Sequence, residues 1–230
     1  MLRFFMIVLV VSGCTKNPGG TVSMNTTPPA VTAKSYLALG DSYTIGQGVS
    51  ATERFPAQTT QWLQQKGIII STLTYIATTG WTTTNLQNAL NTQNPAPHDV
   101  VTLLIGVNDQ YQTRDTTGYR NRFTALLQQS IVLARGKKEK VVVLSIPDYS
   151  VTPFAANNDT ARIRQELDWF NAINRNVTNS LGVTYLDITP STREARTNAS
   201  LIASDGLHPS ALEYKKWAER LGPLLEAVLK

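Results

Sequence analysis

Apolar and polar positions along the chain alternate between two rhythms. Residues 35–40, "SYLALG", are a short apolar run closed by glycine, which predicts a buried strand. Pro56 suits the first turn of a helix running to about Lys66, with Phe55, Trp62 and Leu63 apolar and Gly67 as its stop. "IIISTLTYIA" (68–77) is rich in β-branched residues and reads as a second strand. "DVVTLLIG" (99–106) is almost continuously apolar, as strands covered on both faces of a parallel sheet are. Helical spacing returns at Phe123, Leu126, Leu127, Ile131 and Ala134, and "KVVVLSIP" (140–147) is a further buried strand closed by proline. Ile163, Leu167, Phe170, Ile173, Val177 and Leu181 trace a long amphipathic helix. "VTYLDIT" (183–189) supplies a fifth strand, and Ala211, Tyr214, Ala218, Leu221, Leu225 and Val228 lie on one face of a C-terminal helix. This alternation predicts an α/β domain over residues 35–230, three layers α/β/α around a five-stranded parallel sheet. Ligands of such sheets bind beyond the carboxyl ends of the strands.

Composition narrows the function classes. Of 230 residues, 42% are apolar and 16% charged, the profile of a folded domain with a sizeable core. The net charge of +5 is modest, and its densest cluster, "RGKKEK" (135–140), reads as a solvated turn between helix and strand, so no nucleic-acid partner is expected. A single cysteine excludes a disulfide framework and a CxxC site, and metal-ligand spacing is missing elsewhere; neither a metal nor a cofactor is expected. Gly46-Gln47-Gly48-Val49-Ser50-Ala51 fits G-x-G-x-x-A, yet it does not directly join a strand to a helix. No acidic residue lies about 20 positions further on at a strand end, so a dinucleotide site is not expected.

The N-terminus predicts export. "MLRFFMIVLVVSGC" carries Arg3, then an apolar run from Phe4 to Val11, shorter than the about 20 residues of a membrane span, and reads as a signal peptide over residues 1–13. Val11-Ser12-Gly13-Cys14 resembles a bacterial lipobox, which implies cleavage before Cys14, its lipidation and attachment of the chain to a membrane. Residues 14–34, rich in Thr, Pro, Gly and Asn, are expected to be a flexible tether. The expected location is the bacterial cell envelope, beyond the inner membrane. Thr15 after Cys14 resembles lipoproteins sorted to the outer membrane.

Several chemistry-bearing residues fall just after predicted strands. Ser42 in "LGDSY" follows the first strand, Gly80 in "ATTGWTT" the second, and Asn108 in "GVNDQY" the third. "SDGLHPS" before the C-terminal helix places Asp205 three residues ahead of His208, close enough for the carboxylate to reach imidazole Nδ1 and leave Nε2 for Ser42. A serine hydroxyl needs a base to become a nucleophile, and a carboxylate fixes that base's tautomer. His98, the other histidine, precedes a strand and so belongs to the opposite edge of the sheet. Asp41 and Asp109 read as structural carboxylates, Asp109 being the alternative acid, and Trp81 either shapes an acyl pocket or packs under its loop. The lipase elbow G-x-S-x-G is absent.

Gly40-Asp41-Ser42, Gly80, Gly106-Val107-Asn108-Asp109 and Asp205-Gly206-Leu207-His208 resemble, in order, the four blocks of the SGNH hydrolases, the GDSL esterase/lipase family. The resemblance implies a flavodoxin-like fold and ester hydrolysis through Ser42, His208 and Asp205. It also implies an oxyanion hole made by the N–H groups of Ser42 and Gly80 and the side-chain amide of Asn108. Tyr43 departs from the family pattern, which has Leu there. The expected substrates are carboxylic esters, with short-acyl or O-acetyl groups favoured because no long apolar insertion suggests a lid. The alternatives are a lysophospholipase or lipase acting on longer chains, and a non-catalytic envelope lipoprotein that binds glycans.

Overall fold

In the computed structural model, which describes residues 33–230 and the isolated positions Leu2, Leu9 and Gly13, the first apolar run forms strand β1 (Lys34–Gly40). The expected signal peptide (1–13), Cys14 and the 14–34 tether lie almost wholly outside the described residues. After β1 come a single turn α1 (Ser42–Ile45), α2 (Phe55–Gln65), β2 (Ile70–Ala77), α3 (Thr83–Gln93) and β3 (Val100–Leu104). Then follow α4 (Val107–Gln112), α5 (Thr116–Leu133), β4 (Val141–Leu144), α6 (Thr160–Ser180), β5 (Thr184–Leu186), α7 (Thr189–Arg193) and α8 (Ala211–Leu229).

The five strands make one sheet in the order β2-β1-β3-β4-β5, and every pairing is parallel. The chain steps one way from β1 to β2 and the other way through β3, β4 and β5. Right-handed crossovers therefore send α2 to one face and α3, α5 and α6 to the other. The packing agrees: α8 lies against α2, while α5 lies between α3 and α6. Phe55 of α2 meets Trp217 and Tyr214 of α8 at ring-centroid distances of 5.8 and 6.3 Å. β1 and β3 are central and bury their side chains, whereas edge strand β2 exposes Ser71 and Thr72 and becomes buried only at Ile76 and Ala77.

The order reverses between β1 and β3, and the register there is even: Gly40 pairs with Ala77 on one side and with Leu104 on the other. Three strands thus end level, and the loops that follow them leave the sheet side by side. Gly40 permits this closeness. A Cβ there would stand 2.3 Å from the Leu104 carbonyl oxygen and 2.2 Å from Thr44 Oγ1.

Helix α3 was not expected from the apolar pattern, because only Leu86 and Leu90 of its eleven residues are buried hydrophobics. It forms because Thr82 and Asn85 make a reciprocal capping box at its start and Asn94, in the left-handed region at φ 42°, closes its end. End caps and two anchoring leucines outweigh a stretch otherwise rich in Thr, Asn and Gln.

Candidate active site

Ser42 is the first residue of α1. Asp41 caps that turn, its Oδ1 accepting a hydrogen bond from the Tyr43 N–H at 3.0 Å. The Ser42 N–H is one of the donors that a helix start leaves without an intrahelical partner. No hydrogen bond among the described residues engages it, nor the N–H of Gly80. Gly80 stands in the loop after β2 with φ 83°, a conformation that a side chain would strain. That loop is held from both sides: Thr79 donates to Gln47 Oε1 at 2.9 Å, and Gln112 Nε2 donates to the Gly80 carbonyl at 3.1 Å.

Asn108, in the first turn of α4, donates from Nδ2 to the Trp81 carbonyl at 3.0 Å. One N–H of its amide is thereby fixed, and the second remains to point elsewhere. Trp81 packs against the core and is not among the residues lining the cleft described below. Asp109 turns away from this edge to accept from the Thr83 N–H at 2.9 Å and Thr83 Oγ1 at 2.6 Å, with Arg122 Nη2 at 3.4 Å. It ties the start of α3 to α4 and touches neither histidine.

His208 arrives from the other end of the chain. Its Nδ1 lies 2.7 Å from Asp205 Oδ2, while Asp205 Oδ1 accepts from the N–H groups of His208 and Leu207, each at 2.9 Å. Burial alone would raise the Asp205 carboxyl, but those two N–H bonds and the imidazole hold it below the usual carboxylate range. The loop is clamped by an antiparallel bridge between Ile202 and Pro209, and the Ala203 N–H donates to the His208 carbonyl at 2.8 Å. The second glycine of the G-x-G-x-x-A stretch, Gly48, serves this junction. A Cβ on Gly48 would stand 3.0 Å from Asp205 Oδ2, so the α1 loop can approach the carboxylate only without a side chain. His98, by contrast, lies ahead of β3, buried between the Ala96 carbonyl at 2.7 Å and Thr74 Oγ1 at 3.1 Å.

Ser42, Gly80, Asn108 and His208 line one cleft of about 140 Å³, and Asp205 stands behind the imidazole. Among the described residues no hydrogen bond joins Ser42 Oγ to His208, so the hydroxyl is uncommitted. Ligand-free sites commonly have such bonds long, and substrate draws them in. Tyr43, the residue that departs from the family pattern, is buried with its ring 5.3 Å from the imidazole. It buttresses the face of His208. The pattern of the chain did not single out the rest of the wall: Tyr111 on α4, and Tyr149 and Phe154 in the short turns after β4. Their signal was aromatic residues in segments that follow strands at the working edge.

Residues 38–216 match the family described as GDSL-like Lipase/Acylhydrolase. A comparison with curated protein sequences gives no match. Among solved structures, a lipase/acylhydrolase from Enterococcus faecalis is 19% identical with a TM-score of 0.64, over 86% of this chain and 97% of that one. A lipolytic G-D-S-L protein from Veillonella parvula is 17% identical with a TM-score of 0.62, over 82% and 96%. An acetylxylan esterase from Geobacillus stearothermophilus is 18% identical with a TM-score of 0.62, over 85% and 95%.

The carboxyl beside Ser42 has a measurable consequence. Burial pushes Asp41 up to about 8; the Tyr43 N–H works against the rise and the neighbouring Asp109 adds to it. Its Oδ2 is buried without a partner. A carboxyl that holds its proton more tightly when folded makes stability fall as pH rises, from the ordinary carboxylate range up to the folded value. Asp41→Asn keeps an acceptor for Tyr43 and removes the titration. The variant should gain on the parent as pH climbs from 4 to 8, by at most about 1.4 kcal/mol per unit. Urea unfolding at several pH values reads this directly, and parallel stability curves for the two proteins would refute it.

Proposed function

The chain belongs to the GDSL-like lipase/acylhydrolase family, carboxylic ester hydrolases, and from that premise we propose a serine esterase in which Ser42, His208 and Asp205 are the working triad. The observation that carries this reading is the Asp205–His208 pair meeting Ser42 at a cleft that Gly80 and Asn108 also line. Ser42 Oγ attacks the ester carbonyl as His208 Nε2 takes its proton, and Asp205 steadies the imidazolium through Nδ1. The carbonyl oxygen, now an oxyanion, accepts from the N–H groups of Ser42 and Gly80 and from the remaining N–H of Asn108. The carbonyl reforms, His208 hands its proton to the departing alcohol, and an acyl-Ser42 ester remains. Water, deprotonated by His208, attacks that ester and releases the acid, and the proton returns to Ser42. Burial pushes the Asp41 carboxyl up to about 8, which limits the negative charge it brings beside Ser42 near neutral pH.

The size of the cleft supports short acyl groups. Its volume of about 140 Å³ is near that of an apolar cavity of about 150 Å³ that holds a single benzene. An acetyl or butyryl group fills such a space, whereas a fatty-acyl chain would extend beyond it. The likeness to an acetylxylan esterase concerns the fold, and it is the cleft that supports O-acetyl and other short esters as substrates.

We also propose that the mature chain is anchored in the bacterial envelope through lipidated Cys14, a reading supported by Val11-Ser12-Gly13-Cys14 alone. In a bacterial host, Cys14→Ser should lose incorporated labelled fatty acid and move from the membrane to the soluble fraction. Unchanged labelling would end the proposal.

For the triad, Ser42→Ala should fold as the parent does and lose about 10⁴-fold or more in kcat on p-nitrophenyl acetate. The parent should label with a fluorophosphonate while the variant does not. Activity of the variant within tenfold of the parent, or a parent that resists labelling, would instead favour a glycan-binding protein without catalysis. Asn108→Ala should cost about 10²–10³-fold in kcat with KM little changed. A loss confined to KM would remove Asn108 from the oxyanion hole.

A further inference from the structure

We propose that Tyr111 and Phe154 form a platform for the alcohol half of the ester, shaped to take the sugar ring that carries the acyl group. The proposal rests on Ser42 acting as the nucleophile and adds to it the class of alcohol released. Tyr111, Tyr149 and Phe154 stand with their ring centroids a mutual 6.3 Å apart, at interplanar angles of 73°, 51° and 63°. Rings tilted at that spacing pack against one another, and the half-exposed Tyr111 and Phe154 leave one aromatic surface open to solvent.

The base of this surface is rigid. Tyr149 is buried, and its hydroxyl donates to Gln110 Oε1 at 3.0 Å. Gln110 Nε2 in turn donates to Glu166 Oε2 at 2.6 Å, and Arg114 lies 3.3 Å from the same carboxylate oxygen. The rim is open. Tyr111 is 56% exposed and Phe154 46% exposed, large apolar surfaces that the core does not use. Both rings are nonetheless set by their backbones: Tyr111 on the helix that carries Asn108, and Phe154 by its N–H donating to the Gly206 carbonyl at 3.0 Å, beside the His208 loop.

Position assigns the aromatic surface to the alcohol. The proton that His208 delivers goes to the departing oxygen, so the alcohol lies towards His208, Leu207 and Phe154. The rings line the same cleft of about 140 Å³ as Ser42, so a small acyl group leaves their exposed faces to the larger half of the ester. Shape assigns the sugar. A pyranose presents a flat C–H face to an aromatic ring and keeps its hydroxyls in water, and half-exposed tyrosine and phenylalanine rings offer that contact at little entropic cost. An extended alkyl chain needs a groove many methylenes long, which two exposed rings do not supply.

The test compares two acetate esters with the same acyl group, acetylated methyl xyloside and glyceryl triacetate, on the full chain. The readout is the ratio of their kcat/KM values. Tyr111→Ser and Phe154→Ser should each lower that ratio by about fivefold to tenfold, the scale of one aromatic contact, chiefly through the KM of the sugar ester. Tyr111→Phe and Phe154→Tyr, which keep the rings, should preserve it. An unchanged ratio overturns the platform and leaves the esterase intact. A loss seen only with octanoyl esters overturns it in favour of a lipid-facing patch. A parent that labels with fluorophosphonate yet ignores the sugar ester also overturns it. A parent that neither labels nor hydrolyses either ester brings down the nucleophile as well.

Discussion

The arrangement depends on one constraint, that β2, β1 and β3 end at the same level. In a parallel sheet the carbonyl ends of neighbouring strands face the same way, and the pairing of Gly40 with both Ala77 and Leu104 leaves no overhang between them. Ser42, Gly80 and Asn108 then follow their strands by two to four residues and emerge on one edge without long loops. Because β1 and β3 lie at the reversal of strand order, a crevice opens there between loops that go to opposite faces. A side chain at residue 40 would push β1 away from the Leu104 carbonyl, so the smallest residue at the start of the motif sets the closeness of the other parts.

The fourth part is brought in by a different device. Asp205 and His208 do not follow a strand of the sheet; they sit in a loop folded on itself by the Ile202–Pro209 bridge and leading into α8. α8 packs on α2, and the loop meets the α1 segment at Gly48. The position of the imidazole thus depends on the packing of two helices and on one close backbone approach. The Asp205 carboxylate spends one oxygen on the N–H groups of its own loop and the other on the imidazole, which fixes the loop and the tautomer with the same group.

Legibility in the sequence followed how each feature is encoded. The central strands were plain because parallel strands buried on both faces are nearly uniform in apolar residues, and α6 and α8 because long amphipathic helices repeat their signal over several turns. α3 was hidden, since its stability comes from caps and only two leucines reach the core. Ser42, Asn108, Asp205 and His208 stood out through residue types with few other reasons to follow a strand or precede a helix. Gly80 needed the strand assignment before it, because glycine alone carries no chemistry. The aromatic wall was not legible: Tyr111 lies far along the chain from Tyr149 and Phe154 and meets them only through the folding of turns after β4, which have no period to read.

The cleft has walls of two kinds, and this follows from the same geometry. Towards the sheet the cleft is bounded by the short loops and turns that carry Ser42, Gly80 and Asn108 away from the level ends of three strands. Outward it is bounded by α4 and by turns after β4, whose backbones are held by Gln110, Glu166 and the Gly206 carbonyl while the rings of Tyr111 and Phe154 remain in water. The exposed rings of Tyr111 and Phe154 can therefore be exchanged with less disturbance of the core than the residues that leave the ends of the central strands.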